Sequence, residues 1–266
     1  MTDAATTAAK LMGADDYAAT YLIDMDFERH LIAARQDRCL AFLAACQPET
    51  LLEVGCGPDL LVDRLDLAAS SIVQWMVVEP SFYADRIAQR MADCPKLRLT
   101  RGYLEDRVDA LLDVAPGRYD AVLLSGLLHE TANPQAMLSA AHALLAPGGH
   151  LFVSVPNALS FHRLLGVEMG LLQSPAGLSA RNVELGQPLV FDRQALEEMV
   201  EKAGFEDLHF SGYMFKPFAN DQMARVITMI GDDVVGGLNR LGAAFPEHAA
   251  EIAVIARKRP AAPRQS

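Results

Sequence analysis

The residues best placed to do chemistry form the run Glu53-Val54-Gly55-Cys56-Gly57-Pro58, in which an acid precedes two closely spaced glycines. Glycines at that spacing let the backbone turn sharply, approach a ligand closely and open into a helix N-terminus. A dinucleotide fingerprint would place a third glycine at position 60. Leu60 stands there instead, so the close approach of a helix to a pyrophosphate is not provided for. A nicotinamide-dependent oxidoreductase is therefore the weaker reading of this turn. Acids occupy the two telling places: Glu53 before the glycines, and Glu79 where a carboxylate binds ribose hydroxyls in nucleotide-binding sheets. Two anionic groups there suit a cationic ligand carrying a ribose and repel a pyrophosphate. The competing reading is a tight strand–helix turn with no ligand.

Such a loop needs a strand before it and a helix after it, and the chain supplies that rhythm. Short apolar runs at residues 50–54, 71–78, 97–100, 119–125 and 149–155 read as strands. Continuous apolar runs with β-branched residues suit strands buried on both faces, the habit of parallel sheets. Helices are expected between them. Leucines at helical spacing mark residues 59–67, Ser81 can cap residues 82–92, and Asn133-Pro134 opens a helix running to about residue 145. Residues 192–203 read as a further helix, and residues 206–215 and 251–258 as two closing strands. This alternation predicts a doubly wound α/β domain. Residues 1–48 look helical. Residues 157–190 fall outside the rhythm and form an insertion, which in an α/β domain is more often functional than structural.

Composition narrows the function. The chain has 266 residues, 51% of them hydrophobic, so it can bury a core and is not a disordered chain. Lys plus Arg is 23 and Asp plus Glu is 34, a net charge of −11. That excess opposes a nucleic-acid partner or an anionic membrane surface, both of which require basic patches. Cys39, Cys46, Cys56 and Cys94 lack the spacing of a zinc or redox motif, and reduced thiols are expected. The start, MTDAATTAAK, lacks a signal peptide's basic and apolar segments, and no apolar run is long enough to span a bilayer. A cytoplasmic protein is expected, with nothing to indicate an oligomer.

Five motifs in order carry a family resemblance: Glu53-Val-Gly55-Cys-Gly57, Val77-Val78-Glu79, Gly102-Tyr-Leu104-Glu105-Asp106, Tyr119-Asp120-Ala-Val-Leu-Leu-Ser125 and Leu145-Ala-Pro147-Gly148-Gly149. From about residue 15 to 258 the chain resembles the class I S-adenosylmethionine-dependent methyltransferases, and most of all the small-molecule branch similar to the ubiquinone and menaquinone biosynthesis enzymes. The resemblance implies a Rossmann-like, mostly parallel seven-stranded sheet of order 3-2-1-4-5-7-6 with the last strand antiparallel. It also implies one domain: a helical cap (1–48), a cofactor-binding core (49–156), a substrate lid (157–190), closing helices and strands (191–258) and a tail (259–266).

The resemblance further implies S-adenosylmethionine as cofactor. Gly55 and Gly57 would pass under its methionine part, Glu53 would organise that loop, and Glu79 would hold both ribose hydroxyls. Leu104 and Glu105 would line the adenine, and Ser125 would lie beside the sulfonium. Arg35 would hold the methionine carboxylate as a bidentate partner, with Tyr21 and Tyr17 as pocket walls. Asp59 and Tyr103 depart from the pattern, standing where relatives often have a third glycine and the Asp that receives the adenine amino group. His129 falls where the family faces its active site, and histidine has a suitable pKa for a general base. Glu130 is either its orienting partner or a solvated loop residue. In the insertion Asn157, His162, Arg163 and Arg181 are candidate substrate contacts, with an acceptor that is anionic or carries a hydroxyl; the alternative is that the arginines face water. No metal site is expected. The implied reaction is methyl transfer to an oxygen or nitrogen of a small molecule, with specialised metabolism as one setting. A protein that binds the same cofactor but catalyses cyclisation or rearrangement is the alternative.

Overall fold

The computed structural model describes residues 11–23, 25–115 and 118–260. Seven strands build one sheet: β1 (Thr50–Val54), β2 (Gln74–Glu79), β3 (Leu97–Arg101), β4 (Tyr119–Ser125), β5 (Leu145–Pro156), β6 (Phe205–Tyr213) and β7 (Glu251–Lys258). Their order is β3-β2-β1-β4-β5-β7-β6. The first five run parallel, and β7 is antiparallel to both β5 and β6. This is the expected topology. The central strands are apolar on both faces because helices cover both: Leu51, Leu52, Val77, Val78, Val122 and Leu124 are fully buried.

The helices are α1 (Ala14–Tyr21), α2 (Glu28–Cys46), α3 (Ala84–Arg90), α4 (Val108–Val114), α5 (Pro134–Leu144), α6 (Phe161–Glu168), α7 (Ala180–Glu184), α8 (Arg193–Lys202), α9 (Asn220–Ile230) and α10 (Asp233–Ala244). The cap read at Asn133 forms: it accepts from Ala136 N–H at 3.1 Å, with Pro134 in the first turn. Asp192, read as the first residue of α8, is instead its cap, accepting from Ala195 N–H at 2.9 Å.

Three differences from the sequence expectations have physical causes. Residues 59–67 form no α-helix, only one 3₁₀ turn at Leu61–Arg64. Leu60 and Leu65 are extended on either side, and Asp66 folds the chain away by accepting from Ala68 N–H and Ala69 N–H. The leucines there reach the core from a loop. Second, the helix after β2 starts at Ala84 rather than at residue 82. Ser81 caps the turn ahead of it, its hydroxyl accepting from Tyr83 N–H at 3.3 Å while donating to Glu79. Third, Pro147-Gly148-Gly149 does not separate α5 from β5. The strand begins at Leu145, and the irregular stretch is absorbed by a register shift against β4. Residues 1–10 of the expected cap, and most of the tail, lie outside the described residues.

Candidate active site

The carboxyl ends of β1, β2 and β4 open into a cavity of about 570 Å³, roofed by α1 and edged by the insertion. Ligands bind at such ends in open α/β sheets. Both loop glycines need their lack of a side chain. Gly55 has φ +72°, and a Cβ there would come within 2.8 Å of the Leu127 side chain. Gly57 has φ +62°, and a Cβ there would meet no atom within 4 Å, so it would project into open space. The loop after β1 is therefore a bare backbone cradle.

Glu79 fixes that cradle. Its Oε2 accepts from Cys56 N–H at 2.9 Å, while its Oε1 accepts from Ser81 N–H at 2.8 Å and from the Ser81 hydroxyl at 2.6 Å. One buried carboxylate thus ties the loop after β1 to the loop after β2. Glu53 lies below, buried, and accepts from the Trp75 indole N–H at 2.9 Å. Burial pushes the Glu53 carboxyl up to about 8; the Trp75 bond pulls it down, and the charge of Glu79 pushes it up further.

On the β3 side, Leu104 is buried and Glu105 lines the cavity with Tyr103. Glu105 Oε2 is buried and has no hydrogen-bond partner among the described residues. A buried acceptor left without a donor is costly unless a ligand supplies one. At the end of β4, the Ser125 hydroxyl lies 3.4 Å from that of Ser154 and 3.5 Å from Cys39 Sγ.

The roof is held from three sides. Asp15 accepts from Phe82 N–H at 2.7 Å, and the Tyr83 hydroxyl donates to Ala18 O at 3.1 Å. The Tyr17 hydroxyl donates to Glu130 Oε1 and accepts from Gln187 Nε2 at 2.9 Å. Tyr17 therefore joins α1 to the loop after β4 and to the insertion. Tyr21 also lines the cavity and donates to Glu28, and the two tyrosine rings stack with centroids 6.0 Å apart.

Several expected site residues fall elsewhere or act otherwise. Arg35 lines the cavity, but its bidentate face is taken by Glu251, with Nε 2.9 Å from Oε2 and Nη2 on Oε1. Glu28 lies 3.8 Å away on the same guanidinium, so the fork is not free for a cofactor carboxylate. His129 is buried behind the cavity wall and is not among its lining residues. Burial, and then the charge of Arg35, push its imidazole down to about 3, so it stays neutral at ordinary pH. Glu130 faces the cavity instead, with its Oε1 3.6 Å from His129 Nε2. Burial pushes its carboxyl up to about 8, against the Tyr17 bond and the charge of Arg35.

The four insertion candidates are also displaced. Asn157 spends its amide on Glu247 O and Ala249 O, both at 2.9 Å. Arg163 is buried and pins the insertion to itself through Pro175 O, Gly177 O and Asn182. Arg181 is half exposed and pairs with Glu184 at 2.9 Å. His162 lies in α6, outside the cavity lining. The insertion reaches the cavity through Leu185 and Gly186, with Gln187 on Tyr17. No sequence signal marked these three residues.

S-adenosylmethionine fits this arrangement. Glu105 Oε2 is an acceptor awaiting a donor such as an adenine amino group, the glycine cradle leaves room for the methionine part, and Glu53, Glu79 and Glu130 favour a cation. The sheet order and the cavity at its carboxyl ends are those of the class I S-adenosylmethionine-dependent methyltransferase fold. The chain belongs to the methyltransferase-domain family, whose family model matches residues 27–209. It is 26% identical over 198 residues to the ubiquinone biosynthesis O-methyltransferase of Ruegeria pomeroyi, covering 73% of this chain and 75% of that one. It is 24% identical over 170 residues to the mitochondrial ubiquinone biosynthesis O-methyltransferase of Mus musculus, covering 64% of this chain and 44% of that one. The chain thus spans less than half the length of some curated relatives it matches. A SAM-dependent methyltransferase from Archaeoglobus fulgidus shares the fold, with a TM-score of 0.53 and 18% identity, covering 90% of this chain and 99% of that one.

Among the described residues no helix is long and apolar enough to cross a membrane, and no three His, Cys, Asp or Glu side chains converge to hold a metal ion.

Proposed function

We propose that this protein transfers the methyl group of S-adenosylmethionine to an oxygen or nitrogen of a small molecule. The observation that carries this reading is the pairing of the bare glycine cradle with Glu79, which locks the cradle by accepting from Cys56 N–H at 2.9 Å. Gly55 and Gly57 line the methionine part, Glu79 lies beside the ribose, and Leu104 and Glu105 take the adenine. Glu53 and Ser125 sit beneath the loop and beside the sulfonium. Arg35 supports the site through Glu251 rather than by gripping the cofactor.

The bound cofactor supplies an activated methyl on a sulfonium. The protein's share is to align an acceptor in line with it, exclude water and take up the acceptor's proton. Among the acids that face the cavity, Glu130, on the loop after β4, is the one assigned to accept that proton, in place of His129. The predominantly apolar walls, with Leu127 and Leu185 among them, suit a small organic acceptor.

Product analysis tests the reading. With an acceptor supplied, S-adenosylhomocysteine must accumulate in step with a methylated product. Consumption of acceptor without S-adenosylhomocysteine would instead support the cyclisation or rearrangement alternative.

A further inference from the structure

We propose that the acceptor half of the cavity takes an amine, entering as its ammonium ion, and that Glu130 receives its proton. This rests on the cofactor reading above and names the acceptor for the same site.

Charge is the first observation. Among the described lining residues, Glu53, Asp59, Glu79, Glu105, Asp106 and Glu130 are acidic and only Arg35 is basic. Arg35 is already matched by Glu251 and Glu28. An anionic acceptor finds no free cation on these walls, and the arginines of the insertion lie outside them.

The walls are the second. The Tyr17 and Tyr21 rings stack 16° from parallel, and each hydroxyl donates to a carboxylate, Glu130 and Glu28 respectively. Donation to a carboxylate enriches a phenol ring in electrons, and ring faces attract ammonium groups.

Glu130 is the third. Its Oε1 is held by Tyr17, while Oε2 takes no hydrogen bond among the described residues and the side chain is 23% exposed toward the cavity. Glu130 stands on the loop after β4, five residues beyond Ser125, and lines the same cavity as Ser125, the residue expected beside the sulfonium.

The transfer balances with these groups alone. The ammonium gives one proton to Glu130 Oε2, and the freed nitrogen lone pair forms the new N–C bond. The S–C bond breaks with its electron pair on sulfur, leaving a neutral thioether. The positive charge moves from sulfur to the methylated nitrogen and stays among the carboxylates. A hydroxyl acceptor would likewise neutralise Glu130 with its proton, but once the sulfonium is spent it leaves no cation beside the remaining carboxylates, whereas the amine keeps one there.

The test uses the full chain saturated with S-adenosylhomocysteine, titrated by calorimetry with phenethylamine, 4-ethylphenol and 3-phenylpropanoate, three probes of like size. The amine should bind about tenfold or more tighter than the phenol, and the carboxylate weakest of all. Glu130→Gln keeps an acceptor for the Tyr17 hydroxyl, so it should weaken the amine about tenfold while leaving S-adenosylhomocysteine affinity within about twofold. Tyr17→Phe keeps the ring, frees the carboxylate from its clamp, and should weaken the amine less. Binding of the phenol or the carboxylate as tightly as the amine overturns the proposal. So does binding of no probe at all, or loss of S-adenosylhomocysteine affinity in Glu130→Gln with amine binding intact. Failure of S-adenosylhomocysteine to bind the unmodified protein strikes the cofactor reading itself.

Discussion

Glu79 and Cys56 are joined across the mouth of the sheet: the carboxylate at the end of β2 accepts the backbone N–H of the residue between the two loop glycines, at 2.9 Å. The same carboxylate holds Ser81 through its other oxygen. The cofactor cradle is thus shaped by the acid expected to touch the ribose, and removing that acid must alter both stability and binding.

Glu79→Ala should lower unfolding free energy by about 2–3 kcal/mol, because buried N–H donors lose a charged acceptor. It should also weaken S-adenosylmethionine by about tenfold or more. Denaturant unfolding and calorimetry measure the two. Unchanged cofactor affinity would show that Glu79 only holds the loop.

Gly55→Ala and Gly57→Ala should separate folding from binding. Both place a Cβ at positive φ, which costs roughly 1–2 kcal/mol. At Gly55 the Cβ also meets Leu127 at 2.8 Å, so this variant should be the less stable. At Gly57 the Cβ enters the cavity, so this variant should fold and lose cofactor affinity. Thermal melts with and without S-adenosylmethionine distinguish them. Equal ligand-induced shifts in Gly57→Ala and the unmodified protein would move the cofactor off this loop.

Stability and binding should depend oppositely on pH. Glu53 and Glu130 both titrate at about 8 in the folded protein, above the ordinary carboxylate range, so the folded state holds more protons than the unfolded one. Their contribution to stability is therefore present below about pH 4, and falls away as pH rises toward 8. A cationic ligand favours the charged carboxylates, so S-adenosylmethionine should bind more tightly as pH rises through that range and release protons at pH 7. S-adenosylhomocysteine, lacking the sulfonium, should release fewer. Calorimetry in buffers of different ionisation enthalpy reads the proton count, and identical counts for the two ligands would contradict the account.

Arg163 and Arg181 should behave differently although both belong to the insertion. Arg163 is buried on two carbonyls and Asn182, whereas Arg181 makes one exposed pair. Arg163→Ala should speed amide exchange across residues 174–187 and cost about 1–3 kcal/mol. Arg181→Ala should change stability by less than about 0.5 kcal/mol. If Arg181→Ala instead abolished acceptor binding, the acceptor would lie outside the cavity described above.

The sheet was legible because parallel strands bury both faces, so stretches such as residues 121–124 are apolar throughout, and because Gly55, Gly57 and Pro134 mark strand and helix ends chemically. The acids that line the cavity were legible for a similar reason: Glu53 and Glu79 stand at the carboxyl ends of β1 and β2. Residues 59–67 misled, since leucine spacing records burial and not the path that achieves it. The charged residues were least legible. Arg163 and His129 are buried and Arg35 is half-buried, and their roles depend on partners elsewhere in the chain, such as Glu251 for Arg35. Glu130 was visible beside His129, but which of the two faces the cavity is set by the turn after β4, a matter of backbone geometry. Gln187 meets Tyr17 across 170 residues and had no local signal.

The central claim is that the carboxylate-locked cradle binds S-adenosylmethionine. Titration of the protein with S-adenosylmethionine and with NAD, alongside Glu79→Ala, tests it most directly. The account predicts saturable S-adenosylmethionine binding that Glu79→Ala weakens about tenfold or more, and no NAD binding. Binding of NAD with none of S-adenosylmethionine would contradict it.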